Sequence, residues 1–364
     1  MSLKCGIVGL PNVGKSTLFN ALSDAGAEAA NFPFCTIDPN VGVVPVPDER
    51  LDHLYELVES NQKIPTSVEF VDIAGLVKGA SEGKGKGNAF LSHIREVDLI
   101  VHVVRCFDDP NVIHVEGSID PARDIRIIED ELVFKDLVSV EKREENLKKE
   151  AKSGDKNIIA RYETVKQLRE HLEQGNSART FTDDPEVKKA YRELFLLSDK
   201  PVLYACNVGE DDLDSGNDYV DEVRTIAAEH NDEVVTFCAK IEEEIAELDE
   251  EEREAFLDEL GVESAGLDRL IQAAYKELGL ITFFTAGPKE VRAWTVRKGA
   301  RAPEAAGVIH SDFQKGFIRA ETVSVETYIE LGSEKAVRDA GKMRQEGKDY
   351  IVQDGDVMLF RFNV

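Results

Sequence analysis

The stretch GLPNVGKST, Gly9 to Thr17, constrains this chain more than any other. It fits G-x-x-x-x-G-K-[ST], follows the apolar run LKCGIV (3–8) directly, and opens the helix-forming stretch KSTLFNALSDA. A phosphate-cradling loop needs that strand-loop-helix context. Gly9 and Gly14 let the backbone curl, so that successive N–H groups around Asn12 and Val13 point inward. The helix N-terminus adds its dipole and Lys15 neutralises β/γ-phosphate charge. Ser16 offers a hydroxyl to Mg²⁺, and Thr17 reaches the α-phosphate. By residue frequencies such a match arises by chance in roughly one chain in a hundred of this length. The strand and helix around it make a ligand-free turn a poor reading.

The rest of the chain agrees with a sheet built around that loop. Short apolar runs recur at 41–46, 67–73, 99–107, 201–208 and 233–239. Their near-continuous apolarity predicts strands buried on both faces, as in a mostly parallel sheet flanked by helices. More than ninety residues separate the run at 99–107 from that at 201–208, too many for one crossover. Leu137, Val140 and Leu147 keep helical spacing, as do Ile158, Tyr162, Val165, Leu168 and Leu172, with KSGDK (152–156) between them. The spacing predicts an inserted antiparallel helical hairpin over 120–198. After residue 280 the pattern becomes strands around one helix (302–317) with Gly-rich turns, an α+β module of β-grasp type. The expected domains are therefore an α/β nucleotide domain (1–119 with 199–280), the hairpin, and 281–364.

Two further segments complete the phosphate end. VDIAG (71–75) ends a strand with Asp72, placed to hold the magnesium shell through water, and Gly75 offers its N–H to a γ-phosphate. Thr36, in the loop FPFCTIDPN (32–40), is a second candidate hydroxyl ligand for Mg²⁺. Ras-like enzymes orient the attacking water with a Gln after this aspartate motif. Leu76 stands there and cannot bond water. Hydrolysis is expected to be slow until another group completes the site: His114 in the loop DDPNVIHVEG, or Lys78, Lys84 or Lys86 in a Gly-rich loop. Asn12 is a candidate K⁺ ligand with a turn-stabilising role as its alternative. Cys35, beside Thr36, is read as a loop thiol with a redox role as the other reading.

The base end departs from a guanine reader. A P-loop GTPase carries Asn-Lys-x-Asp, whose aspartate accepts from guanine N1–H and the N2 amino group. YACNVGE (204–210) keeps Asn207 but has Val208 for the lysine and Glu210 for the aspartate. Adenine shows a lone pair at N1, which a carboxylate held there would oppose, and mispaired buried groups are rejected strongly. Asn207 is expected to face adenine N7 and N6, with backbone groups of CAK (238–240), Ala239 among them, closing the pocket.

The motifs GIVGLPNVGKSTLFNAL, FPFCTIDPN, VDIAGLVKGAS, AGPKEVRAWT and GKDYIVQDGDV, spread over the whole chain, resemble the YchF subfamily of Obg-related P-loop NTPases. The resemblance implies a nucleotide domain, a coiled-coil insert, a C-terminal TGS domain, preference for ATP, and the ribosome as partner.

Composition bounds the remaining classes. Hydrophobic residues at 42% and charged residues at 32% fit a soluble globular chain, not a disordered one. The longest apolar run is too short for a bilayer, so no membrane role is expected. No signal peptide is read, and five cysteines without a Cys-x-x-Cys pair argue against disulfides and zinc, so the cytoplasm is the expected compartment. Net charge is −27, yet residues 281–364 hold 13 basic and 12 acidic residues. Within 287–319 seven basic residues face three acidic ones, an excess compatible with RNA; with the ribosome that the resemblance implies, ribosomal RNA is expected on the TGS domain, and the hairpin is the surface expected for a protein partner. The acidic run Glu242–Glu254 is expected to be a solvated helical face. The leading expectation is a slow, ribosome-associated ATPase that regulates translation or a stress response. An Obg-type GTPase of relaxed base specificity and a nucleotide-stabilised scaffold with little turnover stand beside it.

Overall fold

The computed structural model describes residues 3–28, 40–73, 94–246, 248, 250–262 and 264–363. Its contacts divide the chain into two units, Met1–Val43 with Glu69–Ala274 and Val44–Val68 with Tyr275–Val364.

In the first unit, β1 (Lys4–Val8), β2 (Val41–Pro45), β4 (Ser67–Asp72), β5 (Leu99–Cys106), β6 (Val202–Val208) and β7 (Glu233–Phe237) form one sheet, ordered β2-β4-β1-β5-β6-β7. The pairs β1–β4, β1–β5, β5–β6 and β6–β7 are parallel. The bonds Asp72 N to Asn40 O (3.0 Å) and Val46 N to Thr66 O (2.8 Å) converge, so β2 runs antiparallel to β4. Every residue of β5 and β6 is buried, which is why these strands read as unbroken apolar runs. The P-loop, Asp72, residues 107–117, 207–210 and Ala239 all follow the carboxyl ends of strands. That edge is where open α/β sheets bind ligands.

After α1 (Lys15–Glu28) and α2 (Glu49–Val58), the hairpin is made by α3 (Pro121–Glu150) and α4 (Lys156–Glu173). Asp120 caps α3 by accepting from Arg123 N, and Asp155 caps α4 by accepting from Asn157 N. Gly154 turns between them at φ +81°. Val140 and Leu147 pack with Val165, Leu168 and Leu172. Asp136 of α3, 1% exposed, accepts from Leu197 N, Ser198 N and Ser198 Oγ at 2.6–2.8 Å and so pins the returning chain. Burial pushes its pKa up to about 6. The unit also contains the short α5 (Pro185–Lys188), then α6 (Asp218–Ala228), α7 (Ala239–Ile245), α8 (Glu250–Leu260) and α9 (Gly266–Glu277), whose last residues pass into the second unit.

The second unit corrects the expected division. Its sheet is ordered β11-β10-β12-β8-β9-β3, from β8 (Leu280–Ala286), β9 (Val291–Arg297), β10 (Phe317–Ser324), β11 (Arg344–Glu346), β12 (Asp356–Phe362) and the two-residue β3 (Lys63–Ile64). One face packs on α10 (Ala302–Ile309) and α11 (Ser311–Lys315) through Phe283, Ala305 and Phe360. The other carries α12 (Val325–Leu331), α13 (Glu334–Asp339) and α2, whose Leu51 and Leu54 join Phe284, Val323 and Val357. Residues 44–68, assigned from sequence to the nucleotide domain, thus complete the C-terminal core. The single helix expected over 302–317 is two, parted at His310, whose backbone is extended.

Candidate nucleotide site

Residues 9–14 link β1 to α1 as a tight loop. Asn12 has φ +63° and Gly14 φ +96°, the left-handed region that glycine enters freely and asparagine tolerates. At Gly9 a Cβ would stand 2.8 Å from the Val103 carbonyl, and at Gly14 one would stand 2.2 Å from Asn207 Nδ2. Both glycines therefore allow the loop to lie against β5 and β6. Val13 is buried, Ser16 is exposed and Thr17 half-buried at the first turn of α1.

Lys15 Nζ pairs with Asp72 Oδ1 at the end of β4. Both side chains are partly accessible, so a phosphate can draw the lysine away and free the carboxylate. Thr36, Gly75, Leu76, Cys35 and the lysines 78, 84 and 86 lie outside the described residues. Ser16 and Asp72 supply hard oxygen donors, the chemistry Mg²⁺ takes together with water and phosphate. Among the described residues no cluster of three His, Cys, Asp or Glu offers a rival all-protein metal site.

Asn207 also holds the site together, a role that its sequence position did not show. It is 3% exposed, its Nδ2 donates to Val13 O (3.0 Å), and its Oδ1 accepts from Ala239 N (3.0 Å). The amide is a strut between the P-loop and the start of α7, and it keeps a second N–H and a second lone pair. Val208, 2% exposed, belongs to the core. Glu210 begins an open turn, with Oε2 3.8 Å from exposed Lys240 Nζ.

His114 is also committed. Its side chain is buried, its Nδ1 accepts from Glu116 N (3.1 Å), and its Nε2 donates to Asp124 Oδ2 (2.8 Å). That fixes the Nε2–H tautomer and leaves no ring nitrogen for a water in this conformation. The neighbouring Ile113 carbonyl accepts from Asn12 Nδ2 (3.1 Å), so the loop carrying His114 is tied to the P-loop. With Nδ2 so used, Asn12 has only Oδ1 left for a potassium ion.

Two groups escaped the sequence reading. Arg105, at the end of β5, is fully buried and bonds only loop carbonyls. Glu242, expected in a solvated face, is 3% exposed and accepts from Gly266 N (2.8 Å) at the start of α9. Burial raises its pKa to about 7. Cys5, Cys106, Cys206 and Cys238 are buried free thiols, as expected of strand cysteines.

A family model described as a 50S ribosome-binding GTPase matches residues 4–142, and the YchF-GTPase C-terminal model, described as a protein of unknown function, matches 280–363. The chain is 56% identical over the full length of both proteins to the ribosome-binding ATPase YchF of Bacillus subtilis. It is 47% identical to the Obg-like ATPase 1 of Pongo abelii, covering all of this chain and 93% of that one. The solved structure of the Schizosaccharomyces pombe YchF GTPase superimposes with a TM-score of 0.88 at 40% identity, over 99% of this chain and 98% of that one. The names divide between ATPase and GTPase. No helix among the described residues is long and apolar enough to cross a membrane.

Proposed function

Since this chain belongs to the YchF family of P-loop NTPases, we propose that it is a ribosome-binding ATPase of the cytoplasm, hydrolysing ATP slowly as a nucleotide-dependent regulator of translation. The observation that carries ATP over GTP is the base end. Glu210 sits in an exposed turn beside Lys240, and no aspartate stands where guanine would be forked. The remaining N–H and lone pair of the Asn207 amide face adenine N7 and N6, and backbone groups of 207–210 and 238–240 and the missing fork complete the selection. Calorimetry checks this: ATP is expected to bind at least about tenfold more tightly than GTP, a difference of about 1.4 kcal/mol. Glu210→Asp should shift that ratio toward GTP. Equal affinities in the parent chain would sink the reading. Restoring lysine at 208 is a poor test, because that position is buried and would bury an ammonium.

Ser16 and Asp72, with Thr36, would hold Mg²⁺, which neutralises charge developing on the phosphates. Lys15 leaves Asp72 for the β/γ-phosphates, and the N–H groups of the P-loop orient them. Gly75 remains the candidate donor to the γ-phosphate. Leu76 cannot orient water, so His114 is the proposed water-orienting group, and its Nε2–Asp124 bond must open for it to act. The Asn12–Ile113 bond gives phosphate binding a handle on that loop. K⁺ at Asn12 Oδ1 is the remaining cation proposal.

The ribosome contact is assigned to the C-terminal unit, through exposed Arg297 and Lys298. Arg301 is engaged by Asp349 (3.0 Å) and Arg319 stands 3.8 Å from Glu321, so they add less than the sequence count suggested. Phe317 is buried in the core, and Trp294 is half-buried against it with the Arg292 guanidinium 4.0 Å from its ring centre. At the tip of the hairpin Lys148, Lys149, Lys152 and Lys156 are exposed and make no ion pair with the described residues. The hairpin is the second surface, for RNA phosphates or a protein partner.

A further inference from the structure

We propose that Arg105 is a positioning residue for nucleotide hydrolysis: it sets the shape of the 107–114 loop that the P-loop grips through Asn12. The proposal rests on the ATPase reading above and adds a residue to it. Arg105 is the penultimate residue of β5, is 2% exposed, and heads the largest fully buried side chains. Its Nε donates to Phe107 O (3.2 Å), its Nη1 to Val112 O (2.9 Å) and its Nη2 to Asp109 O (3.3 Å). The guanidinium carbon lies 4.6 Å from the Phe107 ring centre. Among the described residues no carboxylate forms an ion pair with it.

A buried cation without a counter-ion is costly, and an apolar residue would fill the same volume more cheaply. The guanidinium gives what no apolar residue can: a rigid planar fork that reaches three carbonyls at once. All three belong to one loop of six residues. That loop leads straight into Ile113, whose side chain is 78% exposed. Its own packing therefore does little to place it. Its carbonyl nevertheless meets Asn12 Nδ2 at 3.1 Å, and Asn12 is itself held at a left-handed φ in the P-loop. Arg105, Val112, Ile113 and Asn12 form a continuous chain from the core of the sheet to the phosphate loop, with His114 one residue further on. Among the described residues Arg105 forms no hydrogen bond or ion pair with the P-loop. Its effect should therefore fall on turnover more than on affinity.

The test uses Arg105→Lys in the full chain, which keeps the charge and loses the fork. Three quantities are compared with the parent: kcat, the calorimetric Kd for Mg-ATP, and hydrogen exchange of peptides covering 107–117 and 121–150. The expected result is a kcat lowered at least about tenfold, a Kd within about twofold, and faster exchange confined to 107–117. A loosened loop with parental kcat overturns the proposal, as does a lowered kcat with unchanged exchange. Equal loss of kcat, affinity and protection across the whole unit assigns Arg105 to the fold alone and overturns it too. If the lysine variant does not fold, Arg105→Gly is assayed with added methylguanidinium. Saturable recovery of kcat supports the proposal, and no recovery by a folded variant overturns it. Absence of ATP turnover in the parent chain would overturn the ATPase reading instead, a separate outcome visible in the same assay.

Discussion

Both units hold a six-stranded sheet, but they assemble it in opposite ways. The nucleotide sheet is nearly all parallel, its two central strands are buried throughout, and it places the described candidate residues for phosphate and base at one edge. The C-terminal sheet is mixed, and it takes β3 and the cover of α2 from residues 44–68, more than two hundred residues ahead of the rest. That borrowed segment lies in the chain between the Thr36 loop and the strand that ends at Asp72. Chemistry is thus concentrated in the first unit, and long-range dependence in the second.

Removal of residues 275–364 should break the comparison hardest. The remaining chain keeps the whole P-loop sheet but leaves Leu51 and Leu54 without Phe284, Val291, Val323 and Val357. Loss of soluble, monodisperse protein by size-exclusion chromatography is expected, and a well-behaved fragment would show that 44–68 can refold onto the first unit. Point changes should then separate the units. Leu54→Ala is expected to destabilise the second by about 2–5 kcal/mol, as for large-to-small changes in a packed core. Trp294 is the sole tryptophan and packs on Phe283, so its fluorescence in urea reports that unit directly. ATP affinity should stay parental in Leu54→Ala, whereas Lys15→Ala should abolish turnover and leave the Trp294 transition in place.

Glu242 sharpens the contrast by a smaller amount. Its folded pKa is raised from 4.5 to about 7, chiefly by burial. Its protonated form is therefore the one the fold favours. That stabilisation is complete below about pH 4.5 and is lost as pH rises through 7. Glu242→Gln keeps an acceptor for Gly266 N and has no proton to lose. It should flatten the stability profile of the first unit between pH 5 and 8, with a gain of at most about 3 kcal/mol at the alkaline end. The Trp294 transition should not follow it.

What could be read from the sequence divides along the same line. All six strands of the nucleotide sheet were visible: β5 and β6, buried throughout, leave continuous apolar runs, and β2, β4 and β7, only partly buried, still stand out as short runs rich in valine. The P-loop was visible because its chemistry is local. The allegiance of α2 was not. ERLDHLYELV shows that one face is buried, and its period is silent on which core receives that face. Asn207 and His114 are candidate site residues from the sequence, yet their hydrogen-bond partners, Val13, Ala239, Glu116 and Asp124, are fixed only by the fold. Glu242 was hidden by its acidic neighbours, and Arg105 by its position at the end of an apolar run.

The borrowed helix also has a bearing on how the protein is made. Leu54 leaves the ribosome roughly 230 residues before Phe284, its partner in the finished core. At about 5–20 residues per second that is a delay of roughly 10–45 s. Throughout that interval the apolar face of α2 has no native cover. The N-cap bond from Asp48 and the charges of Glu49, Arg50, Asp52 and Glu56 can keep the segment soluble while it waits. The nascent chain therefore carries an unfinished helix past the completion of the nucleotide sheet, and the second unit closes only once β12 has been made.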